Sequence, residues 1–126
     1  VKRLINSFRN AFRGIGMVIR SEKNMQIHLI IAFLVVVFGF LLCISPLEWI
    51  ACLLCMALVL GAEMINTSLE NIIDIISPEH HPLAGRAKDI AAGAVLLTAI
   101  LAATVGLIVF VPKLFNLFTT LNAFLR

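Results

Sequence analysis

Between residues 3 and 20, Leu4, Ile5, Phe8, Ala11, Phe12, Ile15 and Ile19 recur with a helical period, and arginines fall mostly between them. That pattern predicts an amphipathic helix over 1–23 lying in a membrane surface, apolar face down. Gly14 and Gly16 are its weak points. Residues 27–44 form an 18-residue run in which His28 is the sole polar side chain. The run is just long enough to cross a hydrocarbon layer of about 30 Å, and His28 falls at headgroup level. Ser45-Pro46 stops it, and Pro46 suits the first position of the next helix. A second span follows over 47–66, with Trp49 near its start as an interfacial anchor.

This second helix changes character instead of ending. Glu63, Asn66, Glu70 and Asp74 follow at spacings of three and four, while Ile65, Leu69, Ile72, Ile73 and Ile76 fill the other sides. At about 100° per residue the four polar positions share one narrow stripe. Ser77-Pro78-Glu79-His80-His81-Pro82 reads as a loop punctuated by prolines. The third span is expected over 90–111, its many alanines and glycines suiting close helix approach in lipid. Pro112-Lys113 is expected to end it, leaving 114–126 as a second, interfacial helix.

Composition fixes the solvent. The chain of 126 residues is 61% hydrophobic and only 13% charged, about half the charge of an ordinary soluble domain. One domain of this size cannot hide that much apolar surface from water, so the fold class is all-α and membrane-embedded. The first span is expected to be retained rather than cleaved, because its basic leader is too long for a signal peptide. Cys43, Cys52 and Cys55 lie in apolar runs; the odd count and lack of a second pair make Cys52 and Cys55 packing residues, not a zinc or disulfide motif.

Charge sets the orientation. Lys2, Arg3, Arg9, Arg13, Arg20 and Lys23 precede the first span, and Arg86 and Lys88 lie at the second loop. The first loop has no basic residue and the tail has two, so the N-terminus and second loop are expected to face the cytoplasm. A basic amphipathic start beside apolar spans indicates anionic lipid headgroups; nothing indicates nucleic acid.

With that topology Glu22, Glu63, Glu70, Lys88 and Asp89, from three segments, gather at the cytoplasmic boundary. A carboxylate inside a span costs about 2.5–3.5 kcal/mol even on lenient insertion scales, so Glu63 asks for a functional reason. Facing carboxylates repel unless a proton or divalent cation sits among them, and Mg²⁺ takes one or two carboxylates plus phosphate oxygens. Metal, base and lysine make a phosphoryl-transfer set. The same groups also fit a cation or proton carrier built on Glu63, or a purely structural role. His80 and His81, adjacent in a loop, suit loop or nucleotide contact better than a metal site.

The stripe Glu63-Met-Ile-Asn66-Thr-Ser-Leu-Glu70-Asn-Ile-Ile-Asp74, joined to Gly85-Arg-Ala-Lys88-Asp89, closely resembles the bacterial diacylglycerol kinase / undecaprenol kinase family. The similarity runs from Arg3 to about Lys113. It implies an ATP-dependent lipid kinase of the bacterial inner membrane, homotrimeric, with active sites shared between subunits. It further implies Glu63 as the general base and Glu22 and Glu70 as holders of the Mg²⁺ of MgATP. Lys88 and Asp89 would contact ATP, with Glu79, His80 and His81 nearby. Arg3 would touch lipid and nucleotide, and Asn66 would orient the site, supported by Asp74. Asn10 stands where the diacylglycerol-preferring branch has an aromatic nucleotide contact. Segments 20–28, 79–83 and 106–113 look closer to the undecaprenol-preferring branch. Lipid discrimination would fall to apolar walls near Phe12, Ile15 and Trp49, which makes Trp49 a substrate contact beside Arg3 and Glu63.

Overall fold

The computed structural model describes residues 1–79 and 81–125. Four helices follow one another: α1 (Lys2–Ser21), α2 (Lys23–Leu41), α3 (Pro46–Ile76) and α4 (Pro82–Phe124). The last three are long and apolar enough to cross a membrane.

α1 continues through Gly14 and Gly16 and buries none of its residues. Leu4, Ile5, Phe8 and Phe12 are all exposed, as a helix resting on lipid requires. It ends at Glu22, a single residue in extended conformation that both closes α1 and opens α2. No proline or glycine makes this break. The Gln26 side chain does, donating at 3.1 Å to the Ile19 carbonyl left unpaired at the end of α1.

α2 ends in a Schellman-type turn. The Ile44 N–H reaches back to the Gly39 carbonyl at 3.1 Å and the Cys43 N–H to Phe40 at 3.2 Å. Cys43 takes the left-handed position, with φ of 50°, that glycine ordinarily fills. Gly39 itself is needed for another reason. A Cβ there would stand 2.7 Å from the Trp49 indole, which packs on it and tilts against Phe40 at 4.9 Å.

α3 opens with a capping box. Glu48 N–H donates to Ser45 Oγ at 3.3 Å, and Ser45 N–H donates to Glu48 Oε2 at 2.6 Å, with Pro46 at the first position. α3 and α4 then form the main antiparallel pair, with α2 laid on α3. Ion pairs close this hairpin at both ends, Glu48–Lys113 at 3.1 Å and Asp74–Lys88. Near the first of them Ile44, Cys52 and Val109 make the apolar core, with Trp49 and Phe110 against it. Cys52 therefore packs as expected, and all three cysteines are free.

One expectation fails: Pro112-Lys113 does not break the helix, and 114–126 is not a separate helix as far as the described residues go. α4 runs unbroken through Pro112 to Phe124. Proline removes one backbone donor and crowds one carbonyl, a loss that helices of membrane proteins commonly absorb.

Because Cys43 sits in a conformation that costs a β-carbon about 1–2 kcal/mol, Cys43→Gly is expected to raise the melting temperature of the detergent-solubilised protein. An unchanged or lower value by scanning fluorimetry contradicts the turn described.

Candidate active site

The stripe on α3 is where the polar chemistry collects. Glu63 is only 1% exposed, the most deeply buried polar residue described, and Asn66 and Thr67 are buried beside it. Thr67 turns its hydroxyl onto the Glu63 backbone carbonyl at 2.9 Å. Asn66 donates its amide to Glu70 Oε1 at 3.1 Å. Two acceptors are then left without partners among the described residues: Glu63 Oε2 and Asn66 Oδ1, one helical turn apart. Buried acceptors without donors are costly, and such orphans call for an incoming hydroxyl or cation.

Around the Glu63 carboxyl stand Glu22, Asn24, His28 and Glu70. The break at Glu22 is what brings them there. It turns the chain from α1 into α2, so that Glu22 and the first turns of α2 face the middle of α3. Met25, in the first turn of α2, is buried too, at 2% exposed. Glu22 and Glu70 are each partly buried, and Ser21 donates to Glu22 Oε1 at 3.0 Å. Of the five groups expected to gather, Glu22 and Glu70 lie close enough to Glu63 to act on its carboxyl, whereas Lys88 and Asp89 do not join them.

His28 and Asn24 are additions that sequence reasoning missed. His28 is half-buried and close enough to Glu63 to act on its carboxyl electrostatically. Its signal was the lone polar position in the run 27–44. His28 also opens an apolar cavity of about 240 Å³ between α2, α3 and α4, lined by Ala32, Val35, Val59, Ala102 and Gly106.

A second, polar recess lies where α3 passes into α4, lined by Asp74, Glu79, His81, Gly85 and Lys88. His81 caps α4, its Nδ1 accepting from Leu83 N–H at 3.2 Å. Lys88 reaches across to Asp74. Asp89 is exposed and does not line the recess. His80 lies outside the described residues.

Three expected contacts are not gathered within one chain. Arg3 and Asn10 lie along α1, 19 and 12 positions before Glu22, about 28 and 18 Å away at helical rise. Trp49 precedes Glu63 by 14 positions on one continuous helix, about 21 Å toward the other end. Its indole is engaged with Gly39 and Phe40. Among the described residues no three His, Cys, Asp or Glu side chains converge tightly enough to cage a metal ion.

A buried carboxylate at the edge of an apolar bundle and, about 16 Å along α3, a recess carrying a lysine are the two features the helices build. Comparison with known proteins gives them a class. Residues 9–110 match the family model described as prokaryotic diacylglycerol kinase, and the chain belongs to that family of multi-pass membrane lipid kinases. It is 41% identical to the undecaprenol kinase of Bacillus subtilis over 90% of this chain and 93% of that protein. It is 36% identical to the diacylglycerol kinase of Synechocystis, over 90% of this chain and 66% of that protein. The diacylglycerol kinase of Escherichia coli is 28% identical, over 79% of this chain and 82% of that protein.

Proposed function

We propose that this kinase transfers the terminal phosphoryl group of MgATP to undecaprenol at the cytoplasmic face of the bacterial inner membrane. The observation that carries the reading is the Glu63 carboxyl: almost wholly buried, with one oxygen unpartnered beside the unpartnered Asn66 carbonyl. A lipid hydroxyl placed there donates to Glu63 Oε2. As the hydroxyl oxygen attacks phosphorus, the bond to the ADP oxygen breaks and the hydroxyl proton passes to Glu63. Asn66 holds Glu70 in place and keeps the carbonyl side of the pocket polar.

The donor set fits magnesium arriving with its nucleotide. Glu22 and Glu70 offer two carboxylates beside Glu63, and phosphate oxygens complete such a shell without a protein cage. The ion, when bound, offsets phosphate charge. The recess at Asp74, Glu79, His81 and Lys88 lies 11 positions along α3 from Glu63, about 16 Å. That spacing suits a nucleotide lying along the helix, its base end in the recess and its terminal phosphate at Glu63. Arg3 and Asn10 then reach a site from a neighbouring subunit, which supports a homotrimer with shared active sites.

Undecaprenol is favoured over diacylglycerol by the fuller match to the Bacillus subtilis relative. The cavity beyond His28 gives the acceptor's hydrocarbon a recess within the bundle, and Trp49 lies where the chain's far portion would pass. A difference in such apolar contacts is worth about 1–3 kcal/mol, so the preference is graded.

Glu63→Gln, nearly isosteric, is expected to keep the fold and lower turnover about 10²–10⁴-fold. Activity near the parent value in a coupled ATPase assay removes Glu63 as base. In mixed micelles with both alcohols at equal mole fraction, phosphate should appear mostly on undecaprenol; product mostly on diacylglycerol reverses the acceptor assignment and leaves the mechanism standing. With the native cysteines replaced, Ser45→Cys should label from outside whole cells and Ser77→Cys only after lysis. The reverse pattern would put the site in a compartment without ATP.

A further inference from the structure

The apolar cavity between α2, α3 and α4 has a single polar landmark. Among the side chains that line it His28 alone is a strong hydrogen-bonding group, the cysteines being weak donors. His28 also marks the end of the cavity nearest Glu63. From there the space runs past Ala102 and Gly106 of α4. Its farthest lining residues, Cys52 and Phe110, belong to the apolar core. In the register set by the two ion pairs, Glu63 stands level with Ala99, and Gly106 lies about 10 Å further into the bundle. α2 and α4 both pack on α3 and hardly on each other, so the cavity is a slot open along one side.

Size and chemistry together decide what fits. A volume of about 240 Å³, spread over that length, leaves a slot narrower than a helix, which is about 10–12 Å across. One hydrocarbon chain fits; a helix does not. Beyond His28 the walls offer an ester carbonyl no strong donor, so placing one there strips its water without replacement. At the head the need is reversed. Glu63 Oε2 and Asn66 Oδ1 are buried without partners among the described residues. A hydroxyl that donates to Glu63 keeps two lone pairs, one to accept from an imidazole N–H and one to attack phosphorus.

We propose that His28 holds the oxygen of the acceptor hydroxyl while Glu63 takes its proton, and that the slot receives the first stretch of the chain, so that the enzyme selects alcohols whose hydroxyl is followed by plain hydrocarbon. Such selection presupposes the phosphoryl transfer at Glu63 proposed above and adds which alcohols it admits. Undecaprenol meets the condition. Diacylglycerol does not, because two ester groups follow its hydroxyl directly and two chains compete for one slot.

Prenols of rising length (geraniol, farnesol, geranylgeraniol) test this in micelles with MgATP. In the parent, kcat/KM should rise about tenfold or more from geraniol to geranylgeraniol, as apolar chain leaves water for the slot. A Cβ at Gly106 meets no atom within 4 Å, so Gly106→Leu plugs the slot with the helix intact. There the ratio of geranylgeraniol to geraniol should fall close to unity, and Gly106→Ala, a smaller plug, should lie between. His28→Leu should lower kcat/KM about tenfold at every length and keep the ratio, with His28→Gln, which retains a donor, recovering most of the loss. A ratio untouched by Gly106→Leu, or full activity in His28→Leu, overturns the proposal. Undecaprenol phosphorylated with no length dependence among the prenols overturns it alone. A short-chain diacylglycerol used better than geranylgeraniol overturns it together with the acceptor assignment.

Discussion

Everything in this molecule turns on keeping one carboxyl group out of water at the edge of a lipid bundle. An acid buried without its full set of partners is expensive, and the surrounding structure has to hold it there against the tendency to swing out. α3 does so by being unbroken over 31 residues, so that Glu63 has a rigid backbone on both sides. Thr67 secures the backbone beneath, its hydroxyl bonded to the Glu63 carbonyl. The ion pairs at the two ends of the α3–α4 hairpin stop the helices from sliding along one another. They are separated by 26 positions on α3 and 25 on α4, so both can close only in a single register.

The site divides labour along α3 by depth. Polar groups that carry charge in the open lie toward Asp74 and Lys88, where water screens them. Glu63 and Asn66, proposed to act on a hydroxyl, lie a few turns away and buried, where a hydrogen bond counts for more. A single amphipathic stripe thus serves two environments without a second structural element. The apolar cavity starting at His28 continues the same gradient into the bundle.

Much of this was legible in the sequence because helical periodicity is unambiguous here. The spacing of Glu63, Asn66, Glu70 and Asp74 puts them on one face whatever the tertiary structure does. Lengths of apolar runs, set against bilayer thickness, gave the three spans. What escaped was tertiary or conditional. The proximity of His28 to Glu63 depends on the angle between α2 and α3, which no local pattern encodes. The stop after Ser21 has no glycine or proline to announce it; the carbonyl it frees is taken by the side chain of Gln26, the fourth residue of the next helix. Pro112 misled for the opposite reason: a residue that usually ends helices can pass within a long one when neighbouring turns absorb the lost bond. Trp49 reads as an interfacial aromatic, but its seat on Gly39 follows from the turn at Cys43.

The single extended residue between α1 and α2 has a mechanical consequence. A one-residue joint leaves no slack, so the surface helix cannot rise, sink or tilt without rotating Glu22. α1 leaves Leu4, Ile5, Phe8 and Phe12 exposed along its length, so whatever covers them also fixes the angle of that joint. Glu22, close to Glu63, is the residue on which any change in that angle falls.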